Sequence, residues 1–258
     1  MNIKQALSLG NKGVVSIVGA GGKTTLMYSL ADQLVSAGKR VLTTTTTKIF
    51  KPTPEECPLT ILSKRSDEII EKARLLMLDC PHITLGAEYE PLSGKLIGVY
   101  PDVLADIQES NLFDYIIIEA DGAARKSLKA CTFNEPVVPE FTDCLVSMAG
   151  LDVVGKPLDE QWVFRSNIFS NVTKRPLTSK ITESDIAEML IHDIASIKVT
   201  KPDVIKIAFL NKADNSHSQK AGNEIAALIE ERARGRFHRV IVAGLKGVPV
   251  IHKCRVLS

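Results

Sequence analysis

The feature that most constrains this chain is a glycine-rich turn, Gly19-Ala20-Gly21-Gly22-Lys23-Thr24-Thr25. A short β-branched apolar run, Val14–Val18, precedes the turn and predicts a buried parallel strand. Thr24–Val35 carries leucine and alanine at helical spacing and predicts a helix, which Gly38 ends. Glycines allow a tight turn whose N–H groups point at phosphate oxygens, and a helix N-terminus adds partial positive charge. The segment therefore predicts a loop that binds the phosphates of a nucleoside triphosphate.

Each polar side chain of this loop has a predicted task. Lys23 reaches the terminal phosphates, and the Thr24 hydroxyl is a candidate ligand of Mg²⁺. The common G-x-x-x-x-G-K-[ST] pattern would need a glycine at Ile17, so the loop departs from it. Its shorter spacing, G-x-x-G-K-T, resembles the loop of the Mur ligases and keeps an ATP-dependent ligase open. The alternative is a glycine-rich turn with an incidental lysine. The predicted nucleotide-binding residues of the loop are Gly19, Ala20, Gly21, Gly22, Lys23, Thr24 and Thr25.

Strand-like and helix-like segments alternate along the whole chain. Further strands are predicted at Arg40–Thr44, Leu59–Leu62, Tyr115–Ile118, Leu145–Met148, Val204–Leu210 and Val240–Ala243, the last two being the final clear strands. Helices are predicted at Ser66–Leu78, Pro101–Ser110 and Ser218–Arg234, with another beginning at a cap formed by Thr182 and Asp185, and a hairpin is predicted around Pro91–Gly94. This alternation predicts an α/β, three-layer, P-loop NTPase-like fold with a mostly parallel sheet and helices on both faces. The 258 residues fit a single nucleotide-binding domain, with an irregular polar insertion around 151–180 that is a candidate lid.

Composition and charge exclude several classes of partner. The net charge of +2 gives no field that would attract nucleic acid or a membrane surface. The first residues contain no signal-peptide run, and no segment approaches the roughly 18 apolar residues of a spanning helix. The five cysteines are odd in number and form no C-x-x-C pair, which favours reduced thiols. We therefore expect a soluble, cytoplasmic protein with no nucleic-acid or membrane partner.

A second polar cluster follows the apolar run at Tyr115–Ile118. Glu119 and Asp121 stand at its end, where a nucleotide hydrolase needs a carboxylate to hold Mg²⁺ or to orient a water molecule. If the strand continues that far, both side chains point to one face. We predict Lys23, Glu119 and Asp121 as catalytic residues and Thr24, Glu119 and Asp121 as metal ligands. Which acid takes which role stays open, as does a merely solvated strand end.

Three further groups are weaker candidates. Thr46 and Thr47 follow the second strand and could contact Mg²⁺ or the terminal phosphate, although β-propensity also explains threonines there. Arg165 lies in the insertion and could neutralise phosphate charge, although a surface arginine is the stronger interpretation. Residues 242–246 end the last strand and could close over a base with a backbone N–H.

The tetrapeptide Asn211-Lys212-Ala213-Asp214 follows an apolar strand, where N-K-x-D reads guanine in GTPases. In that arrangement the carboxylate of Asp214 accepts both guanine N–H groups, Asn211 buttresses the loop and the Lys212 stem covers the ring. The alternative is a turn in which Asp214 caps the following helix. The predicted cofactors are therefore Mg²⁺ and either GTP or ATP, with guanine favoured.

Taken in order along the chain, these motifs resemble the selenium-dependent hydroxylase accessory proteins, or YqeC-like family. The matching segments are Val18–Met27, the threonine run with Lys48, Glu119–Ala123, Lys129, Asn134–Pro139, Gly150–Asp152, Gly155–Leu158 and Asn211–Asp214. The resemblance implies a role in preparing a selenium-containing cofactor for molybdenum hydroxylases of the xanthine dehydrogenase type. It also implies a site of Lys23, Thr24, Glu119 and Asp121, with Asn211 and Asp214 at the base, as given above.

The family resemblance leaves the reaction itself open. Glu135 and Pro136 are not explained by ordinary nucleotide-site chemistry and are candidates to face a second substrate. Three hypotheses stand: a nucleoside triphosphatase or transferase acting in cofactor maturation, a nucleotide-dependent switch or chaperone whose partner is a hydroxylase, and an ATP-dependent ligase.

Overall fold

A nine-stranded sheet runs through the computed structural model, which describes residues 1–199 and 201–257. The strands of the chain are β1 Gly13–Gly19, β2 Val41–Thr45, β3 Lys48–Phe50, β4 Leu59–Leu62, β5 His82–Gly86, β6 Glu88–Glu90, β7 Lys95–Ile97, β8 Tyr115–Glu119, β9 Leu128–Lys129, β10 Cys144–Gly150, β11 Val163–Phe164, β12 Ile205–Asn211, β13 Arg239–Gly244 and β14 Val250–Val256. The α-helices are α1 Ile3–Ala6, α2 Lys23–Ser36, α3 Ser66–Leu76, α4 Pro101–Glu109, α5 Ser166–Thr173, α6 Glu183–Ser196 and α7 Ser216–Arg232.

The order of strands across the large sheet is β14-β13-β12-β10-β1-β8-β2-β5-β4. Every neighbouring pair is parallel except β13 with β14, which is antiparallel. Strand β1 lies between β10 and β8, so the glycine-rich loop at its end emerges near the middle of the sheet. Loops that follow β8, β10, β12 and β13 open at this same edge, since parallel strands share their carboxyl ends.

Side chains of successive strand residues divide between two separate cores. Val14 and Val18 of β1 pack in one core, together with apolar residues of α3, α4, α5, α6 and α7. Val15 and Ile17 of the same strand pack in the other, together with α1 and α2. Because a strand alternates its side chains between its two faces, both faces of the sheet are buried. The predicted three-layer α/β fold with helices on both faces is confirmed.

Two small sheets lie beside the large one. Strands β3, β7 and β6 form an antiparallel sheet, and β6 and β7 are the hairpin predicted around Pro91–Gly94. Strands β9 and β11 pair in parallel over two residues each and join the segment after β8 to the 151–180 insertion. The two small sheets therefore bring distant parts of the chain toward the loop at the end of β1.

The structure differs from the sequence prediction at residues 151–180 and in several short elements that were not predicted, among them α1, β3 and β9. Residues 151–180 are not irregular throughout: they contain a 3₁₀ turn at Leu151–Val153, strand β11 and helix α5, whose Phe169 is fully buried. Helix α5 begins after Arg165 with no side-chain cap, so the sequence carried no start signal. Strand β14 was also missed, because this edge strand is largely exposed and mixes charged with apolar residues.

Among the residues that the structure describes, no helix combines the length and the apolar character needed to cross a bilayer. All five cysteines are free thiols, as predicted. The predicted cap of α6 is also present, because the Thr182 hydroxyl accepts from the Asp185 N–H while the Asp185 carboxylate accepts from the Thr182 N–H.

Candidate nucleotide-binding site

The glycine-rich loop connects β1 directly to α2, as predicted. Gly22 occupies the cap position of α2 with φ of 120°, in a region that side chains rarely adopt. A Cβ at Gly22 would also lie 2.5 Å from Nδ2 of Asn211, so glycine is needed there for space as well as for conformation. The first N–H groups of α2, from Lys23 to Thr25, have no partner within the helix and are the donors that a phosphate would use.

Lys23 is buried, with 4% of its surface exposed, and its ammonium group lies among oxygens. Its Nζ donates to the Gly19 carbonyl at 2.7 Å and lies 3.1 Å from Oδ1 of Asp121 and 3.5 Å from Oε1 of Glu119. Burial opposes the positive charge, but the two carboxylates outweigh it and raise the pKa of Lys23 above its ordinary value. The structure therefore brings together the three residues predicted to be catalytic, and it keeps the lysine charged.

Glu119, the last residue of β8, faces the first turn of α2. The Thr24 hydroxyl donates to its Oε2 at 2.7 Å, so two of the three residues predicted as metal ligands are in direct contact. Burial raises the pKa of Glu119 above its ordinary value, although Lys23 and Thr24 both favour the ionised form.

Asp121 lies beyond the end of β8 and has no exposed surface. Its Oδ2 accepts from the Gly19 N–H at 2.9 Å and lies 3.0 Å from Nζ of Lys129. The two acids are thus not equivalent. Glu119 contacts the Thr24 hydroxyl, whereas Asp121 ties the entry of the loop to a second buried lysine.

The structure directs the Thr46 and Thr47 side chains to protein partners. Thr46 donates its hydroxyl to the Val137 carbonyl at 2.9 Å, and the Thr47 hydroxyl lies 3.3 Å from that of Thr45. Neither Thr46 nor Thr47 lines the cleft in front of the loop. Their neighbour Thr45 donates to the Glu119 carbonyl at 2.8 Å, so these hydroxyls hold the ends of β2 and β8 together.

The N-K-x-D segment meets the loop through its asparagine. Nδ2 of Asn211 donates to the Gly21 carbonyl at 2.7 Å, and Oδ1 accepts from the Leu245 N–H at 3.2 Å. One buried side chain therefore joins the phosphate loop, β12 and the loop after β13, which is the buttress expected of this residue. Lys212 adopts a left-handed conformation with φ of 63°, and its Nζ donates to Asp152 and to the Ser127 hydroxyl.

Asp214 is exposed and does not cap the next helix. Asn215 does so instead, because its side chain accepts from the Ser218 N–H at 2.9 Å. The alternative interpretation of Asp214 as a helix cap is therefore wrong. Its Oδ1 lies 2.9 Å from the position that a Cβ on Gly244 would take, so the carboxylate lies against the end of β13.

In front of the loop is a cleft of about 440 Å³. Its walls carry five cationic side chains and one carboxylate, a balance that suits a polyanionic ligand. The lining residues are Gly21, Gly22, Lys23, Thr24, Thr25, Ile49, Phe50, Lys95, Glu119, Ala123, Ala124, Arg125, Lys126 and Lys212.

Sequence reasoning missed a chain of alternating charges behind the loop. The Lys129 side chain has no exposed surface, and its Nζ contacts Asp121, the Gly122 carbonyl at 2.7 Å and Oε2 of Glu135 at 2.7 Å. Arg165 is not a free surface arginine, because its Nη1 donates to the same Glu135 oxygen at 2.8 Å. Burial opposes ionisation of Glu135, but the hydrogen bonds from Arg165 and Lys129 lower its pKa to about 2. In the sequence, the one signal for Lys129 and Glu135 was that both lie in segments that match the family motifs.

The parallel sheet, the glycine-lysine loop between β1 and α2, and the carboxylates at the end of β8 define a three-layer α/β fold of the P-loop NTPase type. A profile of the YqeC protein family matches residues 15–167, more than half of the chain, and the chain belongs to that family. The Uncharacterized protein YqeC of Escherichia coli (strain K12) is 28% identical over 220 residues, which cover 84% of this chain and 83% of that protein.

Two solved structures are also similar. FtsY of the Physcomitrella patens chloroplast aligns with a TM-score of 0.45 at 14% identity, covering 91% of this chain. This chain spans 60% of the length of that protein. A crystal structure of FtsY from Mycoplasma mycoides, in space group H32, aligns with a TM-score of 0.42 at 12% identity, over 97% of this chain and 67% of that one.

Proposed function

We propose that this protein binds a nucleoside triphosphate with Mg²⁺ and hydrolyses it, or transfers its terminal phosphate, at the loop between β1 and α2. The observation that carries the proposal is the contact of Lys23, Thr24 and Glu119 at the start of α2. Glycine-rich backbone, a helix N-terminus, a charged lysine and a hydroxyl–carboxylate pair are the parts that phosphoryl transfer requires.

The residues of the loop fit a magnesium ion. The Thr24 hydroxyl and the Glu119 carboxylate are hard oxygen donors, and they lie 2.7 Å apart. When bound, Mg²⁺ would neutralise charge on the phosphates. Lys23 would bind the terminal phosphates through its ammonium group, and the N–H groups of Lys23–Thr25 would bind phosphate oxygens. Asp121 would be a positioning residue, since its carboxylate holds Gly19 and Lys129.

The base is proposed to be guanine, with adenine as the alternative. Asn211 supports this assignment, because it couples the phosphate loop to the turn that carries Asp214. Asp214 supports it too, because its exposed carboxylate is not used to cap α7.

Phosphate release from GTP and ATP by the purified protein tests the activity, with Mg²⁺ present and absent. Lys23→Ala should weaken triphosphate binding by roughly ten- to more than a hundredfold, because a buried charge-assisted hydrogen bond contributes about 1.5–3 kcal/mol. Lys220→Ala, which removes an exposed lysine from α7, is the matched control and should leave binding unchanged. Unchanged affinity of Lys23→Ala, measured by calorimetry, would contradict the phosphate-loop assignment. ADP formation that requires an added acid and amine would instead indicate a ligase.

The proposed biological role is maturation of a selenium-containing cofactor for molybdenum hydroxylases. Membership of the YqeC family supports this role through the resemblance described above. A strain lacking its own protein of this family provides the test: the selenium content and activity of its hydroxylase should be restored by the wild-type chain and not by Lys23→Ala. Full hydroxylase activity in the uncomplemented strain would contradict the role.

A nucleotide-dependent switch is the second candidate, and the charge chain behind the loop favours it. Lys23, Asp121, Lys129, Glu135 and Arg165 form consecutive contacts that extend from the phosphate loop to the start of α5. A phosphate that draws Lys23 from Asp121 would alter the electrostatics of the next pairs. Turnover only in the presence of a hydroxylase would favour the switch, and turnover by the protein alone would favour the enzyme.

A further inference from the structure

Three cationic side chains on the wall of the cleft lack a carboxylate partner. Lys95, Arg125 and Lys126 form no salt bridge within residues 1–199 and 201–257, whereas Lys212 on the same cleft is paired with Asp152. Glu90 and Glu160 act on Lys95 and Lys126 only from beyond salt-bridge distance, so the positive charges on the wall still repel one another. An anion bound among them would relieve that repulsion.

An aromatic ring gathers two of these cations. Phe50, at the end of β3, is 42% exposed, and its ring centroid lies 4.2 Å from Cζ of Arg125 and 5.1 Å from Nζ of Lys95. Cation–π attraction holds such groups near the ring while leaving their N–H donors free for another ligand. The ring therefore positions two charges on one side of the cleft.

The backbone of the neighbouring segment is held in an uncommon conformation. Ala124 and Arg125 have φ of 47° and 61°, in the left-handed region that residues other than glycine seldom adopt. The Gly21 N–H donates to the Lys126 carbonyl at 3.1 Å, which fastens this segment to the phosphate loop. Strained backbone of this kind persists where the surrounding structure enforces it, and it clusters at ligand sites.

Phe50 and Arg125 follow strands on the side of β1 away from the proposed base, whereas Lys126 precedes Ser127, which contacts Gly150 of β10 and Lys212. Asn211 and Asp214 follow β12, which lies to one side of β1 in the sheet. Arg125 and Lys126 follow β8, and Phe50 follows β2, and both of these strands lie to the other side of β1. The cationic wall therefore extends along the same cleft as the phosphate loop, and its Lys126 is bonded to that loop at Gly21.

We propose that Lys95, Arg125 and Lys126, with Phe50 beneath, bind a small anionic second substrate that bears a phosphate or carboxylate group. This inference rests on the proposed function, because the second substrate bound at these cations would be the acceptor of the terminal phosphate of the nucleotide. These cations and the phosphate loop line one cleft, so an anion bound on the wall would lie beside the bound triphosphate.

Titration of inorganic phosphate and, separately, of citrate tests the site and distinguishes a phosphate from a carboxylate ligand. Each anion is added to protein saturated with Mg²⁺ and a non-hydrolysable triphosphate, and binding is followed by nuclear magnetic resonance of the backbone amides. At least one anion should shift the amide resonances of residues 123–126. The Arg125→Ala substitution should weaken the affinity for that anion at least tenfold. Arg125→Lys should recover part of that loss. The control is Lys51→Ala, which removes a cation lying 5.5 Å from the Tyr89 ring outside the cleft and should change nothing.

Several results would overturn the proposal. Competition between the anions and the triphosphate, or a tenfold loss of triphosphate affinity in Arg125→Ala, would make the wall part of the nucleotide site. Equal anion binding by wild type and Arg125→Ala, or no binding of either anion, would remove the site. Binding of an acidic peptide but of neither small anion would assign the wall to a protein partner. If the wild-type protein binds no triphosphate, the proposed function fails, and the same anion titration of the nucleotide-free protein still decides the cationic site.

Discussion

Replacement of Lys129 by methionine tests whether the buried charge chain stabilises the fold. The Lys129 side chain has no exposed surface, and its ammonium group contacts Asp121 at 3.0 Å, Glu135 at 2.7 Å and the Gly122 carbonyl at 2.7 Å. Methionine keeps most of the volume and removes the charge. The variant therefore isolates the electrostatic contribution from that of packing.

The expected loss of unfolding free energy depends on which contacts Asp121 and Glu135 keep after Lys129 is replaced. Breaking a buried ion pair by removing one partner costs about 3–5 kcal/mol, because the other charge stays buried. Asp121 keeps the Gly19 N–H and Lys23, and Glu135 keeps Arg165. We therefore expect the lower end of the range, about 3 kcal/mol of unfolding free energy.

Urea denaturation, followed by circular dichroism, measures this change, and an unaltered m-value would show that the unfolding reaction is the same. Lys48→Met is the matched control, because Lys48 pairs with Glu90 at the same 3.0 Å but both side chains are at least 36% exposed. That variant should lose less than about 1 kcal/mol. A loss below about 1 kcal/mol in Lys129→Met would refute the reasoning.

Three further predictions concern the loop, the base and pH. Gly22→Ala should weaken triphosphate binding at least tenfold, or about 1.4 kcal/mol, because a Cβ would lie 2.5 Å from Nδ2 of Asn211; calorimetry showing wild-type affinity would contradict this. Asp214→Asn should weaken GTP by roughly 1–3 kcal/mol and improve xanthosine triphosphate in competition binding, and ATP binding by wild type that equals or exceeds GTP binding would remove the guanine assignment. The pKa of Glu135 in the folded protein is about 2, below its ordinary value of 4.5. Burial raises this pKa, but the hydrogen bonds from Arg165 and Lys129 lower it by more. Stability from Glu135 is therefore present above pH 4.5 and lost as pH falls toward 2, and Glu135→Gln should flatten that part of a stability profile measured by urea midpoints.

The sequence could predict the parts of the site that neighbouring residues build. The strand, glycine turn and helix around Lys23 are one continuous segment, so local pattern was enough to place the lysine and Thr24 at a helix start. The carboxylate at the end of β8 and Asn211 at the end of β12 were placed by a similar rule, because parallel strands end at one edge of a sheet. The structure places these residues at that shared edge, and their functional roles stay predictions.

The cationic wall and the charge chain could not be predicted in the same way, because their members meet through distant and short elements. Lys129 faces Glu135 and Arg165 through the pairing of β9 with β11, two strands of two residues each, which carry too little pattern to be recognised. Arg125 reaches Phe50 because two consecutive residues adopt left-handed backbone without a glycine to signal it. Such conformations are set by the surrounding contacts rather than by local preference. The groups proposed to bind the triphosphate are thus encoded locally, whereas the groups proposed to select a second substrate depend on how the segments after the adjacent strands β2 and β8 pack together.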